Sequence, residues 1–387
     1  MAASVAFDAG TSDSKVIVSY QADEYPFHRV EKYFLVDPSV RPLTQQTYKD
    51  LLDYAADGTG LGSNLVSYVE PKSGSRVYWE VGETASRPGL IAVRDRKFEK
   101  LLAKILSFLG YLVRVEMQVV ERVELTLGVL LPFDEIEDRR LLAQWLRQIL
   151  GGVDDENVDG FEFNGIAINN IRLKTIDCKP EGYGIYKAYP GDRVAVLIMG
   201  HSDSSWLYFN NGMLNSKLSR TLPETGMHDF IRTLSYPITN ELRAAELLCQ
   251  AGDQLNPTIL AELTQTKSDV EIRQLQQAIK EANAQYWVDR RSEFSSLNVS
   301  DVKLTTTSGG AAHYFSRELN QLFKELFGVH LHWGKALMLE FLERFRIKRK
   351  SVLLHRFADC YGYYRTLPGV EQYQVKAVEV IGGGKNA

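Results

Sequence analysis

Cysteine is scarce in this sequence of 387 residues, which contains only Cys178, Cys249 and Cys360. The three are odd in number, lie far apart and lack the spacing of metal-binding motifs. This pattern excludes a disulfide framework and a zinc motif built on cysteine. A protein that keeps its thiols reduced, and therefore a cytoplasmic location, is the simplest interpretation.

Long hydrophobic runs and a strong excess of charge are also missing. The longest apolar stretches, residues 125–133 and 194–199, have the length of strands and are too short to cross a membrane. The net charge is −4, from 45 basic and 49 acidic residues, so neither direct binding to nucleic acid nor binding to an anionic membrane is expected. The chain enters an apolar segment at its N-terminus, and we expect no signal peptide.

What the sequence does contain is an internal repeat of a strand–turn–strand element. Residues 5–18 and 195–208 each comprise an apolar segment, a short polar turn anchored by glycine, and a second apolar segment. The matched turn positions are Gly10 with Gly200, Ser12 with Ser202, Asp13 with Asp203, and Ser14 with Ser204. Because a tight turn offers N–H groups and hydroxyls, the repeat predicts two phosphate-binding loops on two similar domains.

The first copy has the residue types that a magnesium–phosphate site needs. Gly10 lets the backbone approach a phosphate closely, and Lys15 offers positive charge. Asp8 ends the first apolar segment and can hold Mg²⁺ through water, because this ion needs only one or two carboxylates. The predicted hydroxyl donors are Thr11, Ser12 and Ser14.

The second copy departs from the first at the position of the acid, where Ile198 stands in place of Asp8. Asp203, at the tip of the second turn, has two interpretations. It is either a substitute ligand for Mg²⁺ or a turn residue that accepts local backbone N–H bonds. The second-turn residues predicted to face the phosphates are Gly200, His201 and Ser202.

The periodicity of apolar residues outside the repeat predicts an alternation of helices and strands. Helices are expected at 98–112 and 135–150, with a buried strand at 123–131 between them. After the second repeat, Asp269 can cap a long helix, and residues 299–306 are expected to form a strand.

That last strand leads into a turn made only of small residues, namely Ser308, Gly309, Gly310 and Ala311. Such a strand-to-helix turn lets a flat ring lie against the backbone, beside the free N–H groups of a helix start. A purely structural turn is the alternative. Since the turn follows two phosphate loops in chain order, we interpret it as an adenosine site.

In this order the motifs resemble those of the superfamily that joins actin, the heat-shock chaperone ATPases and the sugar kinases. Within it they resemble the bacterial ParM/StbA-type plasmid-segregation actins. Residues 8–15 are similar to the phosphate 1 motif, residues 200–205 fall at phosphate 2, residues 308–312 fall at the adenosine motif, and residues 356–359 resemble the superfamily's C-terminal segment. Residues 180–182 resemble its connecting segment, which implies that Glu181 orients the attacking water while Asp8 anchors Mg²⁺. The superfamily usually has Asp where this chain has Ile198.

The resemblance implies an α/β fold of two duplicated ribonuclease-H-like, actin-like domains with a nucleotide cleft between them, each half with its own insertion. Domain I would cover residues 1–180, with an inserted subdomain at about 21–95. Domain II would cover 181–310, with a helical insertion at about 218–296. Residues 311–387 would return to domain I and end in a polar tail.

The function implied is that of a ParM-like protein that binds ATP, with GTP as the alternative, together with Mg²⁺. Such a protein forms nucleotide-controlled filaments in plasmid or DNA segregation, and its DNA is held by an adaptor protein rather than directly. Two other functions stay open. One is a nucleotide-binding switch without turnover, suggested by Ile198, and the other is a non-polymerising phosphotransferase of the sugar-kinase type.

Three further patterns receive structural interpretations. His330 and His332 alternate as on one strand face, and no other Cys or His is spaced to complete a metal site, which indicates a structural pair. The basic run at 344–350 is interpreted as a solvated helix end rather than a DNA contact. The glycines at 382–384 are interpreted as part of the tail.

Overall fold

The apolar segments of the first repeat form a hairpin in which β1 (Ala2–Ala9) runs antiparallel to β2 (Ser14–Gln21). The structure is a computed structural model that describes residues 1–21, 29–54, 63–85, 97–156, 158–347 and 353–371. The glycines at 382–384 and residues 348–350 of the basic run lie outside the described residues.

The other strands and the α-helices of the described residues follow in chain order. The strands are β3 (Arg29–Val36), β4 (Val40–Leu43), β5 (Ser63–Val69), β6 (Arg76–Gly82), β7 (Val123–Leu131), β8 (Phe161–Phe163), β9 (Ile166–Ile168), β10 (Ile171–Pro180), β11 (Arg193–Met199), β12 (Ser204–Asn210), β13 (Met213–Leu214), β14 (Arg220–Leu222) and β15 (Leu304–Ser308). The helices are α1 (Gln45–Tyr54), α2 (Lys97–Tyr111), α3 (Arg139–Leu150), α4 (Tyr183–Ala188), α5 (Met227–Arg232), α6 (Glu241–Ala251), α7 (Pro257–Leu260), α8 (Asp269–Ser295), α9 (Gly310–Tyr314), α10 (Ser316–Phe327), α11 (Lys335–Phe345) and α12 (Leu353–Tyr364).

The first sheet has the strand order β10–β7–β1–β2–β3. Strand β7 runs parallel to both β1 and β10, and it confirms the buried strand predicted at 123–131. A strand with a parallel neighbour on each side is covered on both faces, which explains its nearly continuous apolar sequence. The helix predicted at 98–112 is confirmed as α2, whereas 135–150 begins with a 3₁₀ turn before α3.

The start of the insertion differs from the sequence expectation. The segment 21–95 is predicted as an inserted subdomain, but β3 pairs with β2 along its whole length and belongs to the first sheet. Its sequence is mixed because β3 is an edge strand whose residues are mostly half-buried. Strands β4, β5 and β6 form a separate small sheet together with the hairpin of β8 and β9.

The second repeat builds a second sheet of the same plan. Strand β11 pairs antiparallel with β12 and parallel with β15, just as β1 pairs with β2 and β7. Strands β13 and β14 extend this sheet through β12. The repeat seen in the sequence is therefore a repeat of sheet topology.

Helices α4 and α12 pack against one another and against both sheets, in one hydrophobic cluster that contains Ala6 and Ile17 of the first sheet and Val196 and Leu207 of the second. The two helices touch backbone to backbone. A Cβ on Gly184 would lie 1.9 Å from the carbonyl oxygen of Asp359, so only glycine fits there.

The helical region that follows the second repeat contains α5 to α8, as the composition predicts. The predicted cap of the long helix is wrong by one residue, because Ser268 Oγ accepts the bond from the Glu271 N–H and Asp269 is the first helical residue. The strand predicted at 299–306 is β15, which begins and ends later. None of the helices described is long and apolar enough to span a bilayer.

Two structural interpretations of the sequence fail at individual residues. In the basic run Arg346 is exposed as expected, but the Arg344 side chain is only 5% exposed, and its Nε donates to Glu31 Oε2 at 2.7 Å. Glu31 lies 313 residues away, so no local pattern could reveal this partner. The two histidines do not form a pair, since the His332 ring packs edge-on against Tyr189 while His330 is exposed.

Candidate functional site

The turn of the first hairpin places an acid and a base side by side. Asp8 and Lys15 are opposite each other in the strand register, and Lys15 Nζ lies 3.1 Å from Asp8 Oδ2. Both side chains are largely buried. The turn requires glycine at position 10, where a Cβ would lie 2.2 Å from the carbonyl oxygen of Asp13 and 2.6 Å from Lys15 Nζ. The first turn therefore has one acidic and one basic side chain at its base.

The corresponding pair in the second hairpin is neutral. Ile198 lies opposite Ser205, in the register that joins Asp8 to Lys15 in the first hairpin. A Cβ on Gly182 would lie 3.3 Å from Ile198 Cγ1, which places this apolar side chain beside the connecting segment. The second repeat thus has no acid or base at the two strand positions that carry both in the first.

The two turns meet through their hydroxyls. Ser202 Oγ donates a hydrogen bond to Thr11 Oγ1 at 3.0 Å, between residues 191 positions apart. Ser12 is half-exposed at the first turn, whereas Ser14 is fully buried in β2. The structure therefore brings Thr11, Ser12 and Ser202 to the junction of the turns and leaves the Ser14 side chain inside the sheet.

The connecting segment, residues 180–182, lies next to the acid–base pair of Asp8 and Lys15. Strand β10 ends at Pro180, and the Glu181 N–H donates to the carbonyl of Leu131 at 2.7 Å. Although burial opposes the charged form, the carboxylates of Asp8 and Glu181 raise the pKa of Lys15 above its ordinary value. Glu181, Asp8 and Lys15 are thus in one electrostatic group.

A buried carboxylate, Asp359 of α12, lies under this connecting segment. Its oxygens accept the N–H groups of Gly182 at 2.6 Å and Ile185 at 3.1 Å. Burial raises the pKa of Asp359 to about 7, and the neighbouring charges of Asp8 and Glu181 add to the rise. Asp359 thus fixes the backbone that follows Glu181. With a pKa of about 7, its carboxyl group changes between the protonated and the ionised form near neutral pH.

The small-residue turn lies against the second hairpin. Ser308 pairs with Ile198 in the parallel register of β15 and β11. Gly309 has a φ of +111°, and a Cβ at this residue would lie 2.2 Å from the carbonyl oxygen of Met199, so only glycine fits. Gly310 begins α9, and Ala311 is 3% exposed, so its side chain packs in the core. Ser308 Oγ donates to the carbonyl of His355 at 3.1 Å.

Arg356 of α12 connects these turns, although sequence reasoning assigned it no role. Its guanidinium forms an ion pair with Asp13 and lies 3.5 Å from Ser12 Oγ, and its Cγ lies 3.6 Å from the position of a Cβ on Gly310. Burial lowers the pKa of Arg356, and the charge of Asp8 opposes that change. The first turn therefore has two cationic side chains, Lys15 and Arg356.

The sequence matches no family model and no curated protein. Solved structures match over almost the whole chain. ParM of Bacillus thuringiensis with AMPPNP is 15% identical, with 93% of this chain and 96% of that chain covered and a TM-score of 0.55. The actin-like protein Alp7A is 13% identical, with 94% and 95% covered and a TM-score of 0.53. An archaeal actin homolog, Ta0583, is 15% identical, with 94% and 98% covered and a TM-score of 0.51.

The chain has an actin-like fold. It contains two sheets of the same plan, with α4 and α12 packed against both. The α/β, actin-like fold class that the order of motifs implies is therefore confirmed.

Two predicted residues of the second turn have partners away from the first turn. Asp203 is exposed, and its Oδ1 accepts the N–H of Glu224 at 3.3 Å, as expected of a turn-tip residue. His201 is buried, and its Nε2 lies 2.8 Å from Glu241 Oε1. Gly200 closes the turn by donating its N–H to the carbonyl of Asp203 at 3.0 Å.

Among the residues that the sequence did not single out, Asp359 and Arg356 lie near the acid–base pair, and Glu241 lies behind the second turn. The resemblance at residues 356–359 was the one available signal for the first two. Glu241 is the first residue of α6, in a region whose composition indicates only that it is helical. The local sequence therefore gives no sign that Glu241 contacts His201.

Proposed function

We propose that this chain is a ParM-like bacterial actin that binds ATP between the turns of its two repeats. The observation that supports this most directly is the hydrogen bond from Ser202 Oγ to Thr11 Oγ1, since it brings two hydroxyl-bearing turns to one point. Phosphate oxygens between the turns would receive both hydroxyls as donors. ParM of Bacillus thuringiensis, which shares the fold, was solved with ATP and with AMPPNP. GTP is the alternative nucleotide.

The residues at the first turn fit a magnesium ion held together with the phosphates. Asp8 supplies one largely buried carboxylate, and Mg²⁺ commonly binds through one or two carboxylates and several waters. Gly10 lets the turn close tightly, because a Cβ there would lie 2.2 Å from the carbonyl oxygen of Asp13 and 2.6 Å from Lys15 Nζ, the cation that would meet a phosphate. Lys15 and Arg356 would neutralise phosphate charge, and Asp203 is the candidate for a second carboxylate.

The chemistry that this site could perform is hydrolysis of the terminal phosphate, which depends on positioning and charge neutralisation. In this proposal Glu181 orients the attacking water, Asp8 holds the metal, and the turns hold the phosphates. Ile198 removes the carboxylate that the second repeat would contribute. We therefore expect turnover to be slow.

A second candidate function, a nucleotide-binding switch without turnover, is favoured by the same residue. Ile198 and Ser205 form a neutral pair where the first hairpin has Asp8 and Lys15, so the second hairpin could bind phosphate without helping to activate water. The two functions share the site and differ only in phosphate release.

Filament formation and a role in DNA segregation complete the proposal, and they rest on the resemblance of the motifs to ParM/StbA-type actins. The net charge of −4 is consistent with DNA held through an adaptor protein rather than by this chain. The division into domain I (1–180), domain II (181–310) and a returning segment (311–387) is part of the same proposal.

The test is sedimentation of the purified protein with Mg-ATP, Mg-GTP, Mg-ADP or no nucleotide, with phosphate release and the melting temperature measured under the same conditions. Pelleting that requires Mg-ATP, followed by phosphate release, supports the filament-forming ATPase. Pelleting without release supports the switch. If Mg-ATP and Mg-GTP neither cause pelleting nor raise the melting temperature, the nucleotide site is refuted.

A further inference from the structure

Two histidines and a carboxylate converge behind the second turn. His201 comes from the turn itself, His228 from α5, and Glu241 is the first residue of α6. Glu241 Oε1 lies 2.8 Å from His201 Nε2 and 2.5 Å from His228 Nδ1. One candidate ligand atom from each residue lies within 4.8 Å of the other two. Residues from three separate elements thus direct two nitrogens and one oxygen at a single point.

The backbone around this cluster is held by its own hydrogen bonds. The His228 N–H donates to the carbonyl of His201 at 2.7 Å, and the Gly226 N–H donates to the carbonyl of Ser202 at 3.1 Å. Glycine is required at 226, because a Cβ there would lie 2.2 Å from the His201 carbonyl oxygen. Asn240 caps α6 by accepting the Arg243 N–H at 2.9 Å, which fixes the start of the helix and with it Glu241. Backbone hydrogen bonds and a helix cap therefore fix the segments that carry the three side chains.

Imidazole nitrogens with one carboxylate oxygen form a donor set that suits Zn²⁺ and related transition metals. Zinc bonds of about 2.0–2.2 Å in a tetrahedron place ligand atoms roughly 3.3 Å apart, so the two contacts of Glu241 Oε1, at 2.8 Å and 2.5 Å, need to widen by less than about 1 Å to admit the ion. His228 Nδ1 is hydrogen-bonded to Glu241 Oε1, and His201 Nε2 lies 2.8 Å from the same oxygen, so two imidazole nitrogens face one carboxylate oxygen. Mg²⁺ prefers oxygen ligands, which separates this cluster from the site at Asp8.

We propose that His201, His228 and Glu241 form a transition-metal site that prefers Zn²⁺, with water as the fourth ligand. The bound ion would tie the second turn to α5 and α6 and so limit the movement of Ser202 relative to the helical region. This site goes beyond the proposed nucleotide function and does not depend on it, because metal binding is measured with neither nucleotide nor Mg²⁺ present.

The experiment is titration of the chelator-treated full chain with Co²⁺, followed by the visible absorption of the bound ion, and then displacement by Zn²⁺. We expect one equivalent per chain, and at least about a tenfold loss of affinity in His228→Ala and in Glu241→Gln, a loss that even outer-sphere substitutions can cause. His330→Gln is the matched control, since His330 is exposed and far from the cluster in sequence. Its affinity should equal that of the unmodified chain.

Binding that is equal in His228→Ala, Glu241→Gln and the control, or no stoichiometric binding in the unmodified chain, overturns the proposal. Circular dichroism shows whether each variant is folded. X-ray absorption of the zinc-loaded unmodified chain needs no substitution at all. A shell with two imidazoles and oxygen supports the site, whereas a shell that contains sulfur or only oxygen contradicts it.

Discussion

Ser202 Oγ donates to Thr11 Oγ1 at 3.0 Å, so the turns of the two repeats touch although 191 residues separate them. The same turns carry Asp8 and Lys15 on one side and Ile198 and Ser205 on the other. The junction is therefore chemically unequal. At the matched strand positions the first repeat supplies an acid and a base, and the second supplies an apolar side chain and a hydroxyl.

Replacing Asp8 by Asn should abolish the dependence of nucleotide binding on Mg²⁺, because a neutral amide is a poor partner for this ion. In the unmodified chain we expect Mg-ATP to raise the melting temperature more than ATP with a chelator. In Asp8→Asn the two increments should be equal. Asp203→Asn is the matched variant, and an unchanged Mg²⁺ effect there excludes Asp203 as a metal ligand. A full Mg²⁺ effect in Asp8→Asn would refute the assignment of Asp8.

Replacing Ile198 by Asp should raise the rate of phosphate release, because it adds the acid that the second hairpin lacks. We expect an increase of about a hundredfold over Ile198→Asn, at the lower end of the range of single acid–base groups. The Asn variant has nearly the same size and also loses the apolar contact beside Gly182, so it corrects for lost packing. Equal release from both variants, measured under single-turnover conditions, would show that this position does not limit turnover.

Much of the fold could be predicted from the sequence where the pattern is local. The hairpin repeat, the buried strand at 123–131 and the helix at 98–112 follow from the spacing of apolar residues, and all three are present as β1 with β2, β7 and α2. Strand β3 could not be assigned to its sheet, since an edge strand with mixed residues looks like any polar segment. Its pairing with β2 is decided by tertiary structure.

The candidate site shows the same division. Asp8, Gly10 and Lys15 are neighbours in sequence and in space, so one motif predicts their contact. The ion pairs of Arg356 with Asp13 and of Arg344 with Glu31 join residues more than 300 positions apart. Hydrophobic periodicity reports which face of an element is buried, but it says nothing about which distant charge will meet it.

Replacing Gly184 by Ala should destabilise the protein, although alanine favours helices. The added Cβ would lie 1.9 Å from the carbonyl oxygen of Asp359, so α4 and α12 must separate. We expect a loss of about 1–3 kcal/mol in the free energy of unfolding, as for other overpacked cores. Gly152→Ala is the control, since its Cβ would meet Asp155 only at 3.5 Å, and its effect should stay within about 0.5 kcal/mol. Equal stability of the two variants in urea would contradict the tight helix crossing.

Asp359→Asn should remove a pH dependence of stability. The pKa of Asp359 rises from 3.8 to about 7 on folding, so the folded state holds this proton more tightly and the contribution of Asp359 is largest below pH 4. It is lost as the pH rises toward 7 and is constant above that. In urea unfolding, the stability of the unmodified chain minus that of Asp359→Asn should therefore fall between pH 4 and pH 7, by on the order of 3 kcal/mol. A difference that stays level or rises over this range would mean that the hydrogen bonds from Gly182 and Ile185 outweigh burial and keep Asp359 ionised.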